Sequence, residues 1–120
     1  MDHKVRVELK ERSYDIFISE GMIEQSAQHI APLLRRPRVA VITDENVGAL
    51  HLGSLVDALS EVRIDSHTLT LPAGEATKSW SYLIQSVDWL LENKIERHDV
   101  VIALGGGVIG DLVGFAASIL

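Results

Sequence analysis

One hundred and twenty residues sit near the modal size of a single domain, long enough to bury a core and too short for two comfortable ones. With 47% apolar and 23% charged residues, the chain has none of the bias of disordered, collagenous or disulfide-stapled sequences. Eleven basic against seventeen acidic residues leave a net charge of −6, the wrong sign for gripping duplex nucleic acid, and the lack of cysteine excludes disulfides, thiolate metal sites and cysteine nucleophiles. The opening Met-Asp-His-Lys carries no signal-peptide core.

Residues 4 to 10 alternate charged and apolar side chains, the period of a half-buried strand, and residues 14 to 19 read as a second one. The short polar turn between them predicts an antiparallel hairpin. From Met22, the positions Ile23, Ala27, Ile30, Ala31 and Leu34 form one stripe of an amphipathic helix that Pro37 ends. Val39 to Ile42 is apolar throughout, as a strand covered on both faces must be, and it delivers the chain to Thr43-Asp44-Glu45-Asn46. Leu52, Leu55, Val56 and Leu59 restore helical spacing, and His67 to Leu71 alternates like an outer strand before Pro72.

A polar loop, Ala73 to Lys78, leads to Trp80, Leu83, Ile84, Val87, Leu90 and Leu91, the strongest helical pattern in the chain, with Thr77 or Ser79 placed to cap it. Trp80 and Trp89 read as packing residues of this helix, and Glu96 to Asp99 as a charged turn. Val100 to Leu104 is the last strand, again wholly apolar, and runs directly into three glycines. Buried strands alternating with helices predict right-handed crossovers and a mostly parallel α/β sheet, to which the hairpin is an antiparallel addition. The apolar end, Gly114 to Leu120, has no cap and no polar tail, so a helix cut short within a longer protein is expected.

Five of the nine glycines lie between Gly105 and Gly114, and Gly105-Gly106-Gly107-Val108-Ile109-Gly110 satisfies G-x-G-x-x-G after a strand and at the opening of a helix. Glycines there allow a sharp turn and let a phosphate approach backbone N–H groups at a helix N-terminus, so an acidic protein can still hold a pyrophosphate. The competing reading is a turn used only for close packing. A membrane helix is a further rival, since Asp111 is the only charge in residues 100 to 120, but three consecutive glycines after five strand formers break such a helix.

Asp111 falls on the first turns of the final helix, where it either meets a ribose hydroxyl or serves the helix terminus. Asp44 ends a buried strand on the edge where open α/β sheets bind ligands, and Asn46 stands beside it; the same residues also make a good helix N-cap sequence. Glu75 and Lys78 offer an acceptor and a cation three residues apart, or simply solvated charge. The histidines show no metal-ligand spacing.

Together, Val41 to Asn46, Leu71 to Lys78 and Ala103 to Ala117 resemble the amino-terminal domain of the 3-dehydroquinate synthase family. Val108 after the glycines separates this pattern from the glycerol dehydrogenase and iron-dependent alcohol dehydrogenase group, which carries Ser or Thr there. Sugar-phosphate cyclases of the 2-deoxy-scyllo-inosose synthase kind are the nearest alternative, and a free-standing nucleotide-binding module is another. The resemblance implies a Rossmann-like fold. It implies that Asp44, Asn46, Glu75 and Lys78 face the adenosine half of NAD, with Gly74 beside them. Gly105, Gly106, Gly107, Val108, Gly110 and Asp111 are then set around the pyrophosphate.

It further implies a helical domain beyond this chain that holds a divalent metal, zinc or cobalt, through one Glu and two His. In that family NAD transiently oxidises a ring hydroxyl of 3-deoxy-D-arabino-heptulosonate 7-phosphate, phosphate is eliminated, and an aldol step closes the carbocycle to 3-dehydroquinate in the shikimate pathway. NAD is regenerated in each turnover. The resemblance implies a cytoplasmic homodimer binding neither nucleic acid nor membrane, and these 120 residues alone are expected to be inactive.

Overall fold

The two uninterrupted apolar runs form the middle of the sheet. In the computed structural model, which describes residues 4–9, 12–17, 27–28, 30–34, 36–74, 79–95 and 99–118, β3 (Arg38–Asp44) and β5 (Val100–Gly105) lie side by side and parallel. Val39 stands opposite Val100, and Thr43 opposite Leu104. Residues 39–44 and the whole of β5 are buried, which is why neither strand alternates in polarity. Strand β4 (Asp65–Leu71) pairs in parallel with the other side of β3 and is the outer strand, its solvent-facing positions taken by Asp65, Thr68 and Thr70.

Beyond β5, β1 (Lys4–Leu9) runs antiparallel to it, and β2 (Arg12–Phe17) antiparallel to β1, so the order across the sheet is β2-β1-β5-β3-β4. Residues 10 and 11 between β1 and β2 lie outside the described residues, and β2 begins two residues earlier than the alternation places it.

Alternation within β3 and β5 divides the core in two. Val39, Val41, Val100, Ile102 and Leu104 meet Val47, Leu55, Ala58 and Leu59 of α1 (Glu45–Glu61) on one face. Ala40, Ile42, Val101 and Ala103 meet Leu83 and Leu90 of α2 (Trp80–Glu92), and Ile109, Leu112, Val113 and Ala116 of α3 (Gly107–Ser118), on the other. The chain steps outward from β3 to β4 and then back across β3 to β5. Two crossovers in opposite directions must cover opposite faces if both keep the right-handed rule.

Helices α1 and α2 close alike. After each, one residue takes the left-handed conformation, Arg63 at φ 63° and Lys94 at φ 57°. The following isoleucine then donates its N–H back into the helix, Ile64 to Leu59 O at 2.9 Å and Ile95 to Leu90 O at 3.0 Å, which satisfies carbonyls that would otherwise be orphaned.

Several expectations are corrected. The helix predicted from Met22 falls partly outside the described residues; Ala27, Gln28 and Ile30 are helical, but Ala31–Leu33 tightens into a 3-10 turn and Leu34 is extended. Pro32 explains this, because its ring disfavours α conformation at Ala31 and it has no N–H for the ladder. Asp99 is not a surface turn residue: its buried carboxylate takes Arg36 Nε at 3.0 Å and Arg36 Nη2 at 2.5 Å, while the rest of that turn, residues 96–98, is outside the described residues.

Trp80 is 70% exposed and is not a packing residue, whereas Trp89 does pack against the core. The apolar stripe of α2 is wider than the face the sheet covers, so Ile84 and Leu91 remain exposed while Leu83, Ser86 and Leu90 are buried. Ser86 tolerates that burial by donating to Tyr82 O at 2.8 Å. Ser79 is the residue that caps α2, accepting the N–H of Tyr82 at 3.4 Å. Residues 100–118 form a strand, a turn and a helix, and no helix among the described residues is long and apolar enough to cross a membrane.

Candidate dinucleotide site

Asp44, Leu71 and Gly105 end three adjacent parallel strands, with Asp44 opposite Leu71 in register and Gly105 one step beyond the Thr43–Leu104 pair. From β3 the chain leaves to α1 on one face, and from the neighbouring β5 it leaves to α3 on the other. That divergence opens a crevice at the carboxyl edge between β3 and β5, the place where open α/β sheets bind ligands. Three of the sequence motifs arrive at this edge: the Asp44-Glu45-Asn46 segment, the loop that follows Leu71, and the glycine turn.

On the β3 side, Asp44 does what its N-cap chemistry predicts. Its Oδ1 accepts the N–H of Asn46 at 2.9 Å and of Val47 at 2.8 Å, so the amino end of α1 is closed by a carboxylate from within the chain. The other oxygen, Oδ2, faces the glycine turn, 3.4 Å from where a Cβ on Gly105 would stand. Asn46 is exposed beside it.

On the β5 side, the amino end of α3 is built differently. Gly105, Gly106 and Gly107 carry no side chain able to cap a helix, and the ladder begins with Gly110 N–H on Gly106 O at 3.0 Å. The N–H groups of Gly107, Val108 and Ile109 therefore have no partner within the helix. A Cβ at Gly105 would stand 3.1 Å from Ile109 Cβ and 3.2 Å from its Cγ1, so the close approach of strand end to helix favours glycine there. Gly110 is buried and Val108 half-buried, whereas Asp111 is exposed one residue further on.

The third segment is described in part. Gly74 adopts φ +100°, a conformation that favours glycine, with open space around it. The preceding Ala73 donates its N–H to Glu45 Oε1 at 3.4 Å, which ties this loop to the start of α1. Glu75 and Lys78 lie outside the described residues.

Sequence reading missed Thr43, Glu45 and Gly48 at this site. Thr43 is fully buried and its Oγ1 donates to Leu104 O at 2.7 Å across the β3–β5 seam. A Cβ on Gly48 would stand 3.0 Å from Thr43 Cγ2. The available signals were a hydroxyl closing an otherwise apolar strand and a glycine in a helix's first turn, both of which pass for ordinary cap chemistry.

Residues 68–120 match the family model described as 3-dehydroquinate synthase N-terminal. Over 116 residues, 97% of this chain and 31% of the relative, the sequence is 59% identical to a 3-dehydroquinate synthase of Cereibacter sphaeroides (strain ATCC 17029 / ATH 2.4.9). Over all 120 residues it is 53% identical to that of Ruegeria sp. (strain TM1040), covering 32% of that protein. The chain thus spans about a third of the length of the curated relatives it matches.

Among solved structures it is similar to 2-deoxy-scyllo-inosose synthase complexed with carbaglucose-6-phosphate, NAD+ and Co2+, with a TM-score of 0.74 at 19% identity, covering 98% of this chain and 31% of that one. A second structure of 2-deoxy-scyllo-inosose synthase gives a TM-score of 0.68 at 16% identity, covering 94% and 32%. At such identities the likeness is one of fold. In sequence this chain resembles the 3-dehydroquinate synthases over nearly its whole length, residues 68–120 matching the amino-terminal model, and it shares its fold with about a third of 2-deoxy-scyllo-inosose synthase.

Proposed function

We propose that these residues are the NAD-binding part of a 3-dehydroquinate synthase, which converts 3-deoxy-D-arabino-heptulosonate 7-phosphate to 3-dehydroquinate and phosphate. The observation that carries this reading is the divergence of α1 and α3 at the carboxyl edge between β3 and β5, where one helix terminus is capped by Asp44 and the other begins on three glycines that carry no capping side chain. The fit to a dinucleotide rests on the same contrast. A Cβ on Gly105 would stand between the Ile109 side chain and the Asp44 carboxylate, so a side chain there would crowd the strand end that leads to the N–H groups of the glycine turn.

When bound, NAD supplies a hydride acceptor that is restored within the turnover. The chain's own residues bind and orient. The N–H groups of Gly107 and Val108 point donors at the pyrophosphate, and the partial positive charge of the α3 terminus offsets its charge in a protein of net charge −6. Asp44 and Asn46 serve the adenosine half together with Glu75 and Lys78, while Gly74 supplies the turn that leads to that pair. Asp111 serves the ribose beside the pyrophosphate. The reading brings with it a divalent metal held by residues other than these, a cytoplasmic location and a homodimer, as the family resemblance implies.

Calorimetric titration of the chain with NAD tests the site. Saturable binding that Asp111→Ala weakens is expected; an affinity unchanged by that substitution removes Asp111 from the set, and no binding by the parent overturns the reading. Release of phosphate from the heptulosonate substrate by these 120 residues alone would overturn the assignment of the chain to cofactor binding only.

A further inference from the structure

Thr43 occupies an unusual place in the seam. It is the last residue of β3 before Asp44, its side chain is fully buried, and its hydroxyl spends its proton on Leu104 O, the last carbonyl before the glycine turn. Its methyl packs toward the first turn of α1, where a Cβ on Gly48 would come within 3.0 Å of it and 3.5 Å of the hydroxyl oxygen. One β-branched side chain thus separates the amino end of α1 from the strand that launches α3. Its rotamer is held by the hydrogen bond of the hydroxyl and by the close packing of the methyl.

We propose that Thr43 is a positioning residue that sets the distance and orientation between Asp44 and the glycine turn. The hydroxyl fixes the Leu104 carbonyl and with it the peptide plane that leads into Gly105, so that the N–H groups after it keep one direction. The methyl, seated against Gly48, keeps the first turn of α1, which the Asp44 carboxylate caps, from sliding over the turn. A Cβ on Gly48 would press on this wedge more tightly than ordinary packing does, a reason for glycine there distinct from any turn conformation.

Two substitutions separate the hydroxyl from the methyl. Thr43→Val keeps the shape and removes the hydrogen bond, while Thr43→Ser keeps the bond and removes the wedge. Amide chemical shifts and hydrogen exchange at Gly105, Gly106 and Gly107 read the turn directly and need no nucleotide. Thr43→Val is expected to shift these amides and speed their exchange roughly tenfold relative to amides elsewhere in β3 and β5, and Thr43→Ser to restore them. Gly48→Ala is expected to move the same amides, and the double variant Gly48→Ala with Thr43→Ser to return them, because the smaller side chain makes room for the new Cβ.

An affinity arm rests on the NAD reading above: Thr43→Val is expected to weaken NAD binding roughly three- to tenfold, with Thr43→Ser close to the parent. Turn amides unmoved by Thr43→Val, or exchange quickened uniformly through the sheet, overturn the positioning role. A parent that binds no NAD overturns the nucleotide reading alone, since the amide signals still decide what Thr43 does.

Discussion

Asp44 and Gly105 end adjacent strands so closely that a single added methyl group on Gly105 would stand 3.4 Å from Asp44 Oδ2 and 3.1 Å from Ile109 Cβ. Ordinary contact with the carboxylate is tolerable, but the approach to Ile109 is tighter than most packed side chains make, and Ile109, buried among Leu112 and Val113, has little room to give. Gly105→Ala is therefore expected to cost about 1–3 kcal/mol by overpacking, measured by chemical denaturation. A stability equal to the parent's would mean that α3 can move away from the strand freely.

Asp44 holds two roles that a pair of substitutions divides. Asp44→Ala removes the cap from Asn46 and Val47 and is expected to destabilise by about 1–2 kcal/mol. Asp44→Ser retains a capping oxygen and is expected to recover most of that loss while still binding NAD more weakly than the parent. Full recovery of both properties by serine would confine Asp44 to capping.

At the opposite end of the strands, Arg36 closes the turn before β5. It meets both oxygens of Asp99 and donates to Lys94 O at 2.9 Å, with 38% of its own side chain exposed against 4% for Asp99. Because the carboxylate is the buried partner, Arg36→Ala is expected to destabilise by about 1–3 kcal/mol, less than for a fully buried pair. Thermal unfolding of Arg36→Ala and Arg36→Lys checks this, and lysine, lacking the two-pronged fork, is expected to restore only part of the loss.

Lys94 adopts φ 57° at the end of α2, where glycine carries no Cβ penalty. Lys94→Gly is expected to stabilise by about 0.5–1 kcal/mol, since the carbonyl used by Arg36 belongs to the backbone and survives. A loss of stability in that variant would show that the lysine side chain, and not the backbone geometry, matters at this position.

Much of this architecture is legible in the chain because burial on two faces leaves a pattern. Val39 to Ile42 and Val100 to Leu104 could only be central strands, and the segments that follow them had to meet at one edge once the strands were parallel. Asp44 and the glycines were readable for the same reason. What escaped is chemistry that depends on long-range partners. Asp99 looks like a turn residue until Arg36, 63 positions away, is brought beside it. Thr43 looks like the polar end of a strand until Leu104 and Gly48 are seen on either side of it. Trp80 fits the helical period yet faces outward, because periodicity fixes an angle around a helix and not the width of the surface that covers it.

The position of β5 bears on how the molecule can be assembled. Among the described residues it is the last strand in sequence, yet it lies between β1 and β3 and pairs with both, Lys4 opposite Gly105 and Thr43 opposite Leu104. During synthesis, β1 therefore emerges about a hundred residues before its inner neighbour, and β3 waits with one edge unpaired until residue 105 has cleared the ribosome. The crevice therefore forms only once β5 has inserted between β1 and β3.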